Sequence, residues 1–191
     1  MIVQTTGGCY TDGVWCRDAS YILRAMICAG MQGPAKEWLQ KIWASSNSKS
    51  SKNIVLDRGS PSNGLTQRPI TENELLSSTG ALPTTINQTY SEIYAGQPDI
   101  DLTALTVYAT TTVYDKTGDK EFLLKVIHAV DSAMKYLESR DLDGDLLLEQ
   151  GPNEDWMDFI CRSVKIVYSQ ATWSTILLQS PHWAFNTLKK R

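Results

Sequence analysis

The sequence predicts an all-α fold assembled from helical hairpins. Three observations carry that expectation. Apolar residues recur at i, i+3 and i+4 in several separate segments, which puts each set on one face of a 3.6-residue helix. These segments come in pairs with short connections, as antiparallel helix pairs do. Strand-type alternation of apolar and polar residues is scarce. With 191 residues, 42% of them hydrophobic, the chain is long enough for a single domain, residues 1–191, with its own core.

The first helix is RDASYILRAMICAG. Asp18 is placed to cap it, Tyr21, Ile22, Ala25, Met26 and Ala29 follow at helical spacing, and Gly30 stops it. GPAKEWLQKIWASS is the second, with Pro34 in its first turn and the i,i+4 pairs Trp38/Ile42 and Leu39/Trp43. The connection AGMQG is short enough to make these two a hairpin.

A polar break, SSNSKSSKN, runs from Ser45 to Asn53 and has nothing to bury. From Ile54 to Tyr90 the chain reads as irregular, with Pro61, Pro69 and Pro83. Residues 45–90 are thus one long loop region, and a loop of that length usually has a binding role. PDIDLTALTVYATTTVYDKTGD resumes helix, capped by Asp99 or Asp101 and ended by Gly118. Its many β-branched residues lower its intrinsic helix preference, so packing must support it. In DKEFLLKVIHAVDSAMKYLESR, Phe122, Leu123, Val126, Ile127, Val130, Ala133, Met134 and Leu137 share one face. VYSQATWSTILLQ is a further helix, and SPHWAFNTLKKR is read as a loop with at most a turn or two of helix. Hairpins alternating with long loops would bring those loops to a common end. That is the layout of an α/α toroid, here a partial barrel of five or six helices, and an irregular bundle fits the same pattern.

Composition excludes several functions. The net charge is −3 and no basic stripe carries interleaved aromatics, which argues against nucleic acid. No apolar run approaches the roughly 20 residues of a membrane span. The opening MIVQTTGGCYTDG has no basic n-region and no apolar h-region. Cys9, Cys16, Cys28 and Cys161 form no CxxC pair. A reduced, cytoplasmic chain without metal or cofactor is the expectation. No GxSxG occurs; His128 lies within a helix, and His182 has no visible partner.

Two acidic stretches and one basic–acidic pair remain. In DLDGDLLLE, Asp141, Asp143 and Asp145 have the early spacing of a calcium loop, but Leu146 stands where glycine is needed and Pro152 where glutamate is needed. The stretch is read as a turn. GPNEDWMD, from Gly151 to Asp158, has two readings. One is a polar loop capping a helix that begins near Trp156, with Asp155 or Asn153 as the cap. The other is a carboxylic acid kept protonated by apolar Trp156 and Met157 and by neighbouring carboxylates. In DGVWCRDAS, Arg17 and Asp18 place donors beside acceptors, and Trp15 adds a flat apolar face. A sugar has vicinal hydroxyls and an apolar ring face that such a trio answers; the same residues would also serve as a local ion pair and helix cap.

The order of these motifs resembles a known family. VWCRDASYILRAM is similar to the W-x-RD segment of six-hairpin glycosidases, the group of the glucoamylases and the glucosidase domain of glycogen-debranching enzymes. GQPDIDLTALTVYA looks like their polar, substrate-facing loop and inner helix, and RDLDGDLLLEQGPNEDWMD resembles their acidic loop. The resemblance spans Gly8 to Trp173. It implies an (α/α)6 barrel that hydrolyses α-glucosidic linkages of oligo- or polysaccharides with inversion. Arg17 and Asp18 would hold the terminal sugar, Trp15 and Trp156 would line the subsite, and Gln97, Asp99 and Asp101 would add polar contacts. Asp158 would be the general acid, with Asp155 and Glu154 as alternatives. Inversion also needs a second carboxylate, about 6.5–9.5 Å away, which the family supplies late in the barrel. A full barrel has twelve helices. This chain is therefore expected to be the N-terminal half of a catalytic barrel, completed by a partner chain or a second copy. A carbohydrate-binding remnant without turnover, or a helical scaffold with no sugar role, would carry the same motifs.

Overall fold

The computed structural model describes residues 13–46, 54–57, 67–69, 80–86, 91–93, 98–152, 154–157 and 162–179. Among them are five helices: α1 (Cys16–Cys28), α2 (Gln32–Ala44), α3 (Ile100–Thr117), α4 (Lys120–Glu138) and α5 (Val167–Gln179). The fold is mostly helical, as the periodicity predicts.

The largest departure lies between α2 and α3. The stretch read as irregular contains β2 (Ile54–Asp57), β3 (Gln67–Pro69) and β4 (Thr85–Ile86). They join β1 (Val14–Trp15) and β5 (Ser91–Ile93) in a sheet of order β1-β4-β5-β2-β3. The β2–β5 pair is parallel and the other three pairs are antiparallel. Strands of two to four residues are too short for an alternating pattern to stand out.

The start of α1 is also corrected. Asp18 does not cap it. The helix begins at Cys16, directly after β1, and the Cys16 N–H donates to the Thr84 carbonyl at 3.0 Å. A main-chain acceptor next to β4 thus replaces the side-chain cap. Asp18 sits in the first turn, where the helix dipole favours its charge. The buried face differs too. Cys16, Ala19, Ser20, Leu23 and Ile27 are buried, whereas Tyr21, Ile22, Ala25 and Ala29 are exposed. The Ser20 and Thr106 hydroxyls share a 2.8 Å hydrogen bond, so a polar residue holds a core position that apolar counting passes over.

The other helices match their sequence signals. Gly30 and Gly118 take positive φ after α1 and α3. Asp119 caps α4 by accepting from the Phe122 N–H at 2.9 Å. Helix α3 is buried from Ile100 to Val107, and four of its threonines, at 103, 106, 110 and 111, are buried. Their hydroxyls bond back to carbonyls of the preceding turn, Thr106 to Leu102 and Thr110 to Thr106 at 2.8 Å each, which satisfies them inside the core.

The helices form two rows. Arg17 meets Asp101, Ser20 meets Thr106 and Arg24 meets Tyr108, so α1 and α3 run the same way. Tyr168 meets Tyr21, and Gln179 meets Tyr108, so α5 runs with them. Lys36 meets Asp119 and Trp43 meets Thr110, so α2 runs against α3. Helix α4 returns after the two-residue turn Gly118–Asp119 and packs on α2 and α3. Helix α3 is central and contacts the other four, and one apolar core draws on all five.

Gly80 closes the approach to this core. It takes φ +93°, and a Cβ there would stand 2.0 Å from the Ser132 carbonyl oxygen. Gly80→Ala is expected to destabilise the fold by more than about 1 kcal/mol, from strained backbone and the clash together. Urea unfolding of the variant checks this.

Candidate functional site

The first turn of α1 and that of α3 meet through Arg17. Its Nε donates to Asp101 Oδ2 at 2.6 Å and its Nη2 to Asp101 Oδ1 at 3.0 Å, a two-pronged pairing. The same Nη2 lies 3.2 Å from Asp99 Oδ2, which also accepts from the Thr84 hydroxyl at 3.2 Å. Asp99 is the N-cap residue of α3 by position, yet its carboxylate makes no cap bond because Arg17 and Thr84 engage it. Both aspartates are buried and the Arg17 side chain is 16% exposed. Burial works against the guanidinium charge, but Asp101 and Asp99 outweigh it and hold Arg17 firmly protonated. The thiol of neighbouring Cys16 is pushed up by burial and by Asp99, so it is an unreactive core group.

The acidic loop docks on the same end. The Ile100 N–H donates to the Glu154 carbonyl at 3.0 Å, and the Tyr136 hydroxyl donates to the Pro98 carbonyl at 3.1 Å. Glu154 and Asp155 are buried, each against its own arginine. Glu154 Oε2 accepts from Arg140 and from the Gly151 N–H, both at 2.6 Å. Burial still pushes its carboxyl upward, with Arg140 and the Gly151 N–H opposing. Asp155 accepts from Arg162 at 2.5 Å and from Gln150 and the Met157 N–H at 2.9 Å each. Burial raises its carboxyl, but Arg162, Met157 and Gln150 together hold it below the usual range. Gln150 in turn accepts from the Ser169 hydroxyl on α5 and pairs with Val164 across a two-bond bridge.

Trp156, next to these buried acids, is 48% exposed. Its ring stands edge-on to Tyr168 at 6.3 Å, with the Arg162 guanidinium 5.8 Å away. Tyr168 reaches Tyr21 at 3.4 Å.

The DLDGD stretch is a turn. Asp141 accepts from the Gly144 and Leu146 N–H groups, and Lys165 Nζ lies 2.7, 2.6 and 3.2 Å from Asp143, Asp145 and Glu149. Asp141, Asp143 and Glu149 bring carboxylate oxygens within 4.8 Å of one another, and the Lys165 ammonium pairs with two of them, Asp143 and Glu149.

Of the residues singled out in sequence, Arg17, Asp99 and Asp101 form one cluster, with Trp156, Glu154 and Asp155 on the adjoining loop. Asp18 is exposed, and Trp15 is half-buried at the end of β1. Gln97 and Asp158 lie outside the described residues, as do Cys161 and His182. No helix begins at Trp156 among the described residues; the next one starts at Val167. Sequence reading missed Arg140, Arg162, Tyr21 and Tyr168 as parts of this end. Charge balance was a usable signal for two of them, since Arg140 and Arg162 flank the GPNEDWMD carboxylates.

Chemically, the cluster offers a fixed guanidinium beside carboxylates, and next to it an exposed aromatic surface. That set suits hydroxyl-rich ligands with an apolar face. No protein-family model matches the chain, and a search of curated proteins finds no match.

Proposed function

We propose that this chain is a glycoside hydrolase-like domain acting on α-glucosidic linkages, with its sugar-binding end at the Arg17 cluster. The observation that carries the reading is a convergence. Three stretches far apart in sequence, around Arg17, around Asp101 and around Glu154, meet at the N-terminal ends of the parallel helices α1, α3 and α5. The two rows, parallel α1, α3 and α5 backed by α2 and α4, are also what a segment of an α/α toroid requires. In this reading Arg17, held in place by the buried Asp99 and Asp101, binds a hydroxyl of a terminal sugar and Trp156 covers its apolar face.

The acid is assigned to Asp158. Asp155 faces Arg162 and is held ionised at neutral pH, so it has no proton to donate. Glu154 has the raised carboxyl an acid needs, but Arg140 and Gly151 both occupy its Oε2. Inversion further requires a base about 6.5–9.5 Å from the acid. Asp99, Asp101, Glu154 and Asp155 are each committed to a guanidinium. None of these four is free to act as the base, and in this reading a partner chain or a second copy supplies it. The same commitment favours a second reading, in which the chain binds saccharide without cleaving it.

The test is the mass of the purified chain in solution together with glucose release from maltose, isomaltose and trehalose. Under the hydrolase reading, Asp158→Asn lowers release by at least about a hundredfold and spares binding. Binding without release by the wild type selects the second reading. Neither binding nor release rejects both.

A further inference from the structure

Helices α1 and α5 each carry an apolar face that the fold leaves open. On α1 the periodicity sets Ile22, Ala25 and Ala29 together, yet all three are exposed, and the core is filled from the other side of the helix. Helix α5 has no charged side chain in its 13 residues. Opposite its buried face, Val167 is 83% and Leu178 79% exposed, with exposed Ala171 and Ser174 between them. A helix without a charged face is normally covered on every side, and contiguous open apolar surface calls for a partner.

The two faces are the opposite edges of one row. Helix α3 packs with both α1 and α5, and the three run the same way. Helix α1 meets α3 through Arg17, Ser20 and Arg24, and at 3.6 residues per turn Ile22 and Ala29 point away from those three. The edges also match in spacing. Positions 18, 22, 25 and 29 on α1 and 167, 171, 174 and 178 on α5 both step by four, three and four. Set parallel and in register, Ile22 meets Ala171, Ala25 meets Ser174 and Ala29 meets Leu178. Large side chains then face small ones, with two small ones at the middle contact, which lets the helices approach closely. Asp18 falls at the start of α5, where the helix dipole favours its charge. A single chain cannot make this contact, because α3 separates its own two edges. A second copy makes it twice about a twofold axis along the helices, and so covers both edges at once.

We infer that the protein is a homodimer in which α1 of each copy packs in parallel on α5 of the other, closing two rows of three helices into one ring. This rests on the toroid part of the proposed function, narrows its partner to a second copy, and brings the Arg17 ends of both copies to the same mouth of the ring.

The experiment is sedimentation equilibrium of the full chain and its variants, with glucose binding and release measured on the same samples. The wild type is expected to be a dimer. Ile22→Glu and Ala171→Lys each place a lone charge in one edge and should each weaken the dimer at least about tenfold. The double variant sets the two charges opposite each other and should recover most of that loss. Both positions are exposed, so the helical circular dichroism of the variants should match the wild type. A monomeric wild type overturns the inference and leaves the edges to residues 180–191 or to a different protein. A dimer weakened by Ala171→Lys but not by Ile22→Glu overturns it in favour of an α5–α5 contact, and a dimer that neither variant weakens overturns it outright. A monomer that releases glucose overturns the dimer and keeps the hydrolase reading. A dimer that shows the charge rescue but neither binds nor cleaves sugar keeps the interface and rejects the sugar reading.

Discussion

Arg17→Ala is expected to lower the unfolding free energy by about 3–5 kcal/mol, among the largest losses any single surface-adjacent residue would give here. The reason is what it leaves behind. Asp101 is fully buried and Asp99 nearly so, and Arg17 supplies two hydrogen bonds to the first and an ion pair to the second. Without the guanidinium, two carboxylates share one desolvated site, where each disfavours the other's charge. The helix dipole at the start of α3 offsets only part of that cost. Urea unfolding at neutral pH measures the loss, and a companion variant separates charge from packing. Arg17→Met combined with Asp101→Asn removes the buried charge on one aspartate and should recover part of the stability. If Arg17→Ala costs less than about 1 kcal/mol, the cluster is open to water and the buried geometry described above is wrong. Saccharide binding should be lost in Arg17→Ala wherever the protein remains folded, and a pure helical scaffold would have no such binding to lose.

How far the sequence could be read follows from the range of the interactions involved. Helix α4 was legible because its apolar residues repeat over five turns and Asp119 and Gly118 mark its start and the stop before it. The buried face of α1 was not, because Ser20 is inside through its bond to Thr106, a residue 86 positions away. The strands were lost to their shortness, and β2 pairs with β5 in parallel, a contact no local pattern announces. The candidate site divides in the same way. Its chemistry-bearing stretches could be named from sequence, but that Arg17 faces Asp101 rather than its own neighbour Asp18 is a tertiary fact. Local adjacency in sequence favoured the Arg17–Asp18 pair; helix geometry sends consecutive residues to different faces, which puts Asp18 in solvent.

Arg140→Met is the second variant with a large expected effect, and its pH dependence carries more information than its size. The Glu154 carboxyl is pushed up by burial and pulled down by Arg140 and the Gly151 N–H. Removing Arg140 leaves burial less opposed, so the folded-state value rises further. A carboxyl raised above its unfolded value of about 4.3 binds more protons in the native than in the unfolded state. Its contribution to stability therefore falls as pH rises from the unfolded value through the folded one. The loss in Arg140→Met should approach about 3–5 kcal/mol at pH 8, where Glu154 is forced to hold an unpaired buried charge, and should be distinctly smaller at pH 5, where it takes up a proton. Unfolding curves at the two pH values read this directly. Adding Glu154→Gln should abolish the difference between them; an equal loss at both pH values would mean that Arg140 contributes through packing and its 3.2 Å bond to the Glu149 carbonyl rather than through Glu154. The same variant also discriminates between the acids. If Glu154 is the proton donor in glucose release, the alkaline limb of the rate profile moves to higher pH in Arg140→Met, because the proton is held longer. If Asp158 is the donor, the limb stays where it is and only the amplitude changes.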